Sequence, residues 1–252
     1  TETDSKNIPN YFIQKIRINK ILSKLTKNNI FVIKSQVFPG FSETFDIKKN
    51  KIYYEVETLI FGKAIKQAIH PSRIIVGAKN IKIDKNYLYF LKKFTKNIIL
   101  TNFKTAELTK IFINLFLISN ISLTNILNKI CNSLGAQWNT ISSALKLDNR
   151  IGKHAYIQPG LGISGGNLER DLEAIINLSK KYKLDTKLFT LYKKNSLDFK
   201  NWPFETYLKY FDKKKIIKIF ILGLSYKKNT NSTKNSPTLI LINKLKKYNK
   251  NL

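Results

Sequence analysis

The chain has 252 residues and is 43% hydrophobic, enough apolar material to bury a core, which excludes an intrinsically disordered protein. Its formal charge of +29 comes from lysines dispersed along the chain, and the only arginines are Arg17, Arg73, Arg150 and Arg170; scattered lysine without clustered guanidinium argues against nucleic-acid binding as the main function. The single Cys131 cannot form an internal disulfide, and the polar start Thr1 to Asn10 does not read as a secretion signal, so the expected setting is a reducing cytoplasm.

From Tyr11 to Leu25, apolar residues recur mostly at helical spacing, and after the Lys27-Asn28-Asn29 break Ile30 to Ile33 reads as a buried strand. Pro39-Gly40 forces a turn. Ile52 to Tyr54, Ile74 to Val76 and Ile98 to Leu100 are further short apolar runs between polar segments. Strands alternating with helices predict a parallel sheet.

After Thr101 the pattern becomes helical. Ala106 to Ile130 is apolar nearly all round, as in a long helix buried against other helices or a second subunit. Asn114, Ser119, Asn120, Ser122, Asn125 and Asn128 interrupt its most apolar part, a polar load that argues against a membrane span. Gly135 closes that helix, Trp138 to Leu147 forms a short one, and Leu168 to Tyr182 starts another with Glu169 and Asp171 in a first turn. Ile216 to Leu222 reads as a buried strand, followed by Gly223 and a helix opened by Pro237.

Several segments, in this order, carry a resemblance to a known family. Val32 to Gly40 is similar to an apolar strand ending in Ser-Thr-Val-Pro-Pro-Gly. Glu57 to Ala64, followed by His70 to Gly77, resembles Glu-Phe-Leu-Arg-Glu-Gly-x-Ala and Pro-x-Arg-Ile-Val-x-Gly. Ala106 to Lys110 with Asn114 and Asn125 resembles a central dimerisation helix; Leu147 to Gly152 and Pro159 to Gly162 precede a catalytic loop, and Leu222 to Thr230 resembles the opening of a third domain. The family is that of the UDP-glucose/GDP-mannose dehydrogenases.

The resemblance implies an α/β fold in three parts: the C-terminal half of an NAD-binding Rossmann domain over residues 1–100, an all-helical dimerisation domain over 101–212, and the start of a second Rossmann-like domain over 213–252, which binds the UDP-sugar. No Gly-x-Gly-x-x-Gly occurs, so the chain reads as an internal fragment without the phosphate-binding glycine loop. The implied partners are a nucleotide sugar, NAD as cofactor, and a second copy of the chain through the central helix. His70 and His154 have no companions at ligand spacing, which argues against a metal.

For the chemistry, Lys110 and Asn114 lie four residues apart and share a helix face, where an ammonium beside a carboxamide can polarise a hydroxyl. The resemblance makes Glu57 a catalytic acid or base, puts Phe61 where a second glutamate stands, and makes Asp171 an acid/base aspartate. It assigns substrate contacts to Arg150, Tyr156, Gly160, Ser164 and Lys227, and cofactor contacts to Gln36, Arg170 and Lys234. Read without it, Arg150 is a surface ion pair and Asp171 an ordinary residue near a helix N-terminus.

The main departure is at Asn167, which stands where the family carries a cysteine nucleophile. Those enzymes oxidise a C6 alcohol to a carboxylate in two hydride transfers through a thiol adduct, and an amide does not replace a thiol at neutral pH. Three outcomes stay open: only the first two-electron step, direct oxidation of a hydrated aldehyde, or a catalytically inactive nucleotide-sugar-binding paralogue acting as a dimeric scaffold.

Overall fold

The computed structural model describes residues 10–26, 29–45, 51–60, 62–211 and 218–248. The chain divides into two compact units, Thr1–Ile113 and Asn114–Leu252.

The first unit holds helix α1 (Tyr11–Leu22), strands β1 (Ile30–Ile33) and β2 (Lys51–Glu55), helix α2 (Ala64–Ile69), β3 (Ile74–Gly77), α3 (Lys85–Lys92) and β4 (Ile98–Thr101). Asn10 caps α1 by accepting from the Ile13 N–H, and Asp84 caps α3 by accepting from Asn86 and Tyr87. The four apolar runs of the sequence become one sheet, ordered β1-β2-β3-β4.

Its side chains alternate between two cores, as strand geometry requires. Ile52, Tyr54, Val56 and Ile75 pack on one face with Ile18, Ile33, Phe41 and Phe103; Tyr53, Ile74 and Val76 pack on the other with Tyr87 and Leu91. Both faces are therefore covered by protein.

The sheet is not wholly parallel as expected. β1 with β2 and β3 with β4 run parallel, but β2 and β3 run antiparallel, pairing Tyr54 with Gly77 and Glu55 with Val76. A parallel return needs a crossover helix packed on the sheet. The intervening α2 is six residues long and buries none of them, so the chain comes back beside β2 in the opposite sense. Gly77, the last residue of β3, lies so close to the helix after β4 that a Cβ there would sit 2.9 Å from the Ala106 Cβ.

That helix, α4 (Phe103–Leu134), begins in the first unit and continues into the second. By length and composition it is apolar enough to cross a membrane. Its buried residues nevertheless include Glu107, Asn114, Ser122, Thr124 and Asn125. Gly135, at φ +70°, ends it, and the Ala136 N–H returns to the Cys131 carbonyl.

The second unit continues with α5 (Trp138–Leu147), α6 (Asn167–Lys181), α7 (Lys187–Tyr210) and α8 (Pro237–Tyr248), with Pro237 at the first helical position as expected. Tyr248 of α8 meets the rings of Phe204 and Tyr207 of α7 edge-on. Within the expected strand Ile216 to Leu222, residues 216 and 217 lie outside the described residues. Residues 218–222 form no strand, and Phe220 and Leu222 are 86% and 97% exposed. An apolar run becomes a strand only beside another strand, and the described part of this unit contains none.

Candidate functional site

Asn114 and Asn125 stand eleven residues apart on α4, about three turns, and so point the same way. Each makes one long-range hydrogen bond. Asn125 Oδ1 accepts from the Gly160 N–H at 2.8 Å, and Asn114 Nδ2 donates to Asp171 Oδ2 at 2.5 Å. The first fixes the start of the 160–166 loop, and the second fixes the helix that follows it.

The loop needs its glycines. Gly162 has φ +76°, and a Cβ there would lie 2.5 Å from the Ser196 carbonyl oxygen of α7; the next N–H, of Ile163, donates to Ser196 Oγ at 2.8 Å. Gly165 has φ +79° and lies against the Tyr226 ring, and its carbonyl accepts from Asn235 Nδ2 at 2.8 Å. The Lys234 stem lies over Gly166, where a Cβ would come within 2.8 Å of Cδ. Gly160, in contrast, has open space on its Cβ side.

Helix α6 begins where the loop ends, and its first turns carry a polar relay. Asp171 is 0% exposed and has both oxygens engaged, Oδ1 by Arg170 Nε at 2.9 Å and Oδ2 by Asn114. Arg170, 7% exposed, reaches back with Nη1 to Asn167 Oδ1 at 3.3 Å, and the Asn167 side chain is exposed. Asp171 thus lies beyond the first turn where the sequence reading put it. Only Glu169 is in that turn, paired with the buried Lys200 of α7.

Around this relay, Ser164 is a half-buried loop residue and Tyr156 is exposed. Burial, and then the neighbouring Tyr156, push Tyr226 above the ordinary tyrosine range. The Lys227 ammonium lies 5.5 Å from the centre of the Tyr226 ring. Arg150 is on an exposed turn and grips Asp148 with Nε at 3.0 Å and Nη2 at 2.7 Å. That hydrogen bond raises Arg150 and lowers Asp148 from their usual ranges.

The remaining sequence-derived candidates lie in the first unit. Glu57 follows β2, accepts from the Leu59 N–H at 3.1 Å and stands 3.4 Å from Lys34 Nζ. It borders a cleft of about 230 Å³ with Lys34, Gln67, Arg73 and Phe90. Burial works against the Lys34 ammonium, but the hydrogen bond and charge of Glu55, joined by Glu57, outweigh it and raise its pKa above the lysine range. Gln36 is buried just beyond the carboxyl end of β1. Lys110 is half-buried on α4, four residues before Asn114. Phe61 lies outside the described residues.

Glu107 is the feature that sequence reasoning passed over. Fully buried on α4, it accepts the Gly40 N–H at 2.5 Å and the Ser42 N–H at 2.9 Å, holding the turn after β1. Burial raises its pKa above the ordinary carboxylate range in spite of the Ser42 and Gly40 donors. The available signal was a single carboxylate in a helix that is apolar for most of its length. No spacing rule pointed to Ser196, Tyr226 or Asn235 as the walls of the glycine loop.

Residues 104–195 match the profile of the UDP-glucose/GDP-mannose dehydrogenase family, central domain. The UDP-glucose 6-dehydrogenase of Rickettsia prowazekii is 30% identical over 90% of this chain and 55% of its own length; the putative UDP-glucose 6-dehydrogenase YtcA of Bacillus subtilis is 29% identical over 85% and 52%. The chain spans about half the length of these relatives. A UDP-glucose dehydrogenase from Pyrobaculum islandicum superposes with a TM-score of 0.72 at 24% identity, over 88% of this chain and 54% of the other. A UDP-D-ManNAc dehydrogenase from Pyrococcus horikoshii gives 0.80 at 22%, over 98% and 61%. At that identity the two structures establish the shared fold.

Proposed function

The chain belongs to the UDP-glucose/GDP-mannose dehydrogenase family, and from that premise we propose that it forms part of an NAD-dependent enzyme that oxidises the C6 hydroxyl of a nucleotide sugar. The observation that carries this reading is the hydrogen bond from Asn114 to Asp171, which joins the long helix to the start of α6 beside the glycine loop. Such a place suits a polar ligand, because the loop is closely packed and the polar side chains beside it are held by hydrogen bonds. Lys110, Asn114, Glu57 and Asp171 form the proposed polar machinery, and Arg150, Tyr156, Gly160, Ser164 and Lys227 the proposed substrate grip.

Gln36 suits a cofactor contact, since ligands of such sheets bind outside the carboxyl ends of parallel strands and β1 runs parallel to β2. NAD would supply the hydride acceptor. Arg170 and Lys234 are the other proposed cofactor contacts, although Arg170 already holds Asp171 and Asn167. A homodimer through α4 completes the proposal: Phe112, Phe116, Leu123, Ile130 and Leu134 are exposed along one stripe of that helix.

Asn167 favours a second reading, a nucleotide-sugar-binding paralogue without turnover. Its amide cannot form the covalent adduct needed for oxidation to the acid through a thiol. Incubation of the protein with NAD and a panel of UDP- and GDP-sugars separates the two. NADH formation with sugar aldehyde or acid supports the dehydrogenase, whereas sugar binding without NADH supports the scaffold.

A further inference from the structure

We propose that Arg170 is a positioning residue: it locks the Asn167 side chain with the amide NH₂ as its exposed end, so that position 167 presents hydrogen-bond donors to a ligand oxygen. A guanidinium carries donors only, so the Asn167 atom 3.3 Å from Arg170 Nη1 must be the carbonyl oxygen. That contact settles which way the amide faces. Among the described residues no protein acceptor meets the remaining NH₂, and the side chain is exposed.

Arg170 cannot swing away. It is 7% exposed, its Nε is held by Asp171, and Asp171 is in turn fully buried and held by Asn114. Four side chains therefore run from the long helix α4 to the exposed amide. The fork matters, because Nε serves Asp171 while Nη1 serves Asn167; a lysine, with a single ammonium on a flexible stem, cannot reproduce both angles. Arg170 and Asn167 act as a matched pair.

The ligand chemistry follows from what the exposed end offers, and this half rests on the nucleotide-sugar reading above. Two N–H donors with no acceptor favour an oxygen without a hydrogen of its own, and a carboxylate forms the stronger bond. At the sugar's C6 this selects the oxidised group over the hydroxymethyl group, by hydrogen bonding and with no covalent step.

The test has two arms on this chain. In ¹⁵N NMR without ligand, the Asn167 side-chain amide, assigned by its loss in Asn167→Ala, is as ordered as the α6 backbone. In Arg170→Lys, which keeps the charge beside Asp171, it becomes mobile; equal mobility in the two proteins overturns the positioning role. In calorimetric titrations, UDP-glucuronate binds about tenfold more weakly to Asn167→Ala and to Arg170→Lys, while UDP-glucose changes by less than about twofold. Equal weakening of both ligands, or of neither, overturns the donor assignment. If the unsubstituted chain binds neither sugar, the nucleotide-sugar reading falls with the ligand half, and the NMR arm still decides the role of Arg170.

Discussion

Asn114 and Asp171, 57 residues apart in the chain, meet through a 2.5 Å hydrogen bond in which the amide donates to a carboxylate with no exposed surface. The acid is satisfied only while both of its donors remain, because an unpaired buried charge costs far more than an ordinary hydrogen bond contributes.

Asn114→Leu should therefore lower stability by roughly 1–3 kcal/mol. Asn114→Asp should be worse at neutral pH, since it replaces a donor with a second carboxylate that can only accept. Urea denaturation of the three proteins at neutral pH checks this. Equal midpoints for Asn114→Leu and the unsubstituted chain would remove Asn114 from the account.

The glycine loop gives a paired prediction. Gly162→Ala puts a Cβ 2.5 Å from the Ser196 carbonyl at a positive φ, whereas Gly160→Ala meets open space. Thermal denaturation should show a loss of at least about 1–3 kcal/mol for the first and little for the second. Indistinguishable melting curves would contradict the close packing of the loop on α7.

Glu107 makes the fold sensitive to pH. Its folded pKa is raised, chiefly by burial, so the folded state binds its proton more readily than the unfolded chain does. The stabilising effect of that proton is complete below the unfolded carboxylate pKa and is lost as pH rises through the folded value. Glu107→Gln lacks this titration. Plotted against pH, the stability of the unsubstituted chain should fall relative to Glu107→Gln across the window just above the ordinary glutamate value of 4.5. A constant difference across that window would show that Glu107 keeps its unfolded pKa.

The exposed apolar stripe of α4 should drive self-association. Phe112, Phe116, Leu123, Ile130 and Leu134 fall within about 40° of one another around the helix axis. Phe116→Asp should shift the sedimentation coefficient towards a monomer. Added salt should strengthen the dimer of the unsubstituted chain by screening the repulsion between copies that each carry +29. A monomeric unsubstituted chain at every salt concentration would refute the dimer.

Local pattern carried much of the fold into view. Trp138 to Leu147 appears in the structure with the same bounds, and Ile30, Ile52, Ile74 and Ile98 each fall in strands, because apolar period and punctuation are local properties. Strand direction is not local, and the reversed pairing of Tyr54 with Gly77 depends on a connection whose helix buries nothing. Phe220 and Leu222 show the opposite failure, a strand-like composition without a neighbouring strand among the described residues. At the site, the resemblance singled out Asn114, Asn167, Arg170 and Asp171, but their order of bonding could not be read from spacing. The Asn114 partner lies 57 positions away, and the role of Arg170 depends on which of its nitrogens meets which oxygen.

The Asp148 and Arg150 pair sets a condition on any anion that docks there. The guanidinium already embraces a carboxylate of its own turn with two nitrogens, in full contact with water. Asp148 occupies the Nε–Nη2 edge of that fork, so an incoming phosphate competes with it there or settles for the Nη1 end alone. Asp148→Asn frees the seat without touching Arg150, and the turn then becomes a more welcoming landing point than the native sequence provides.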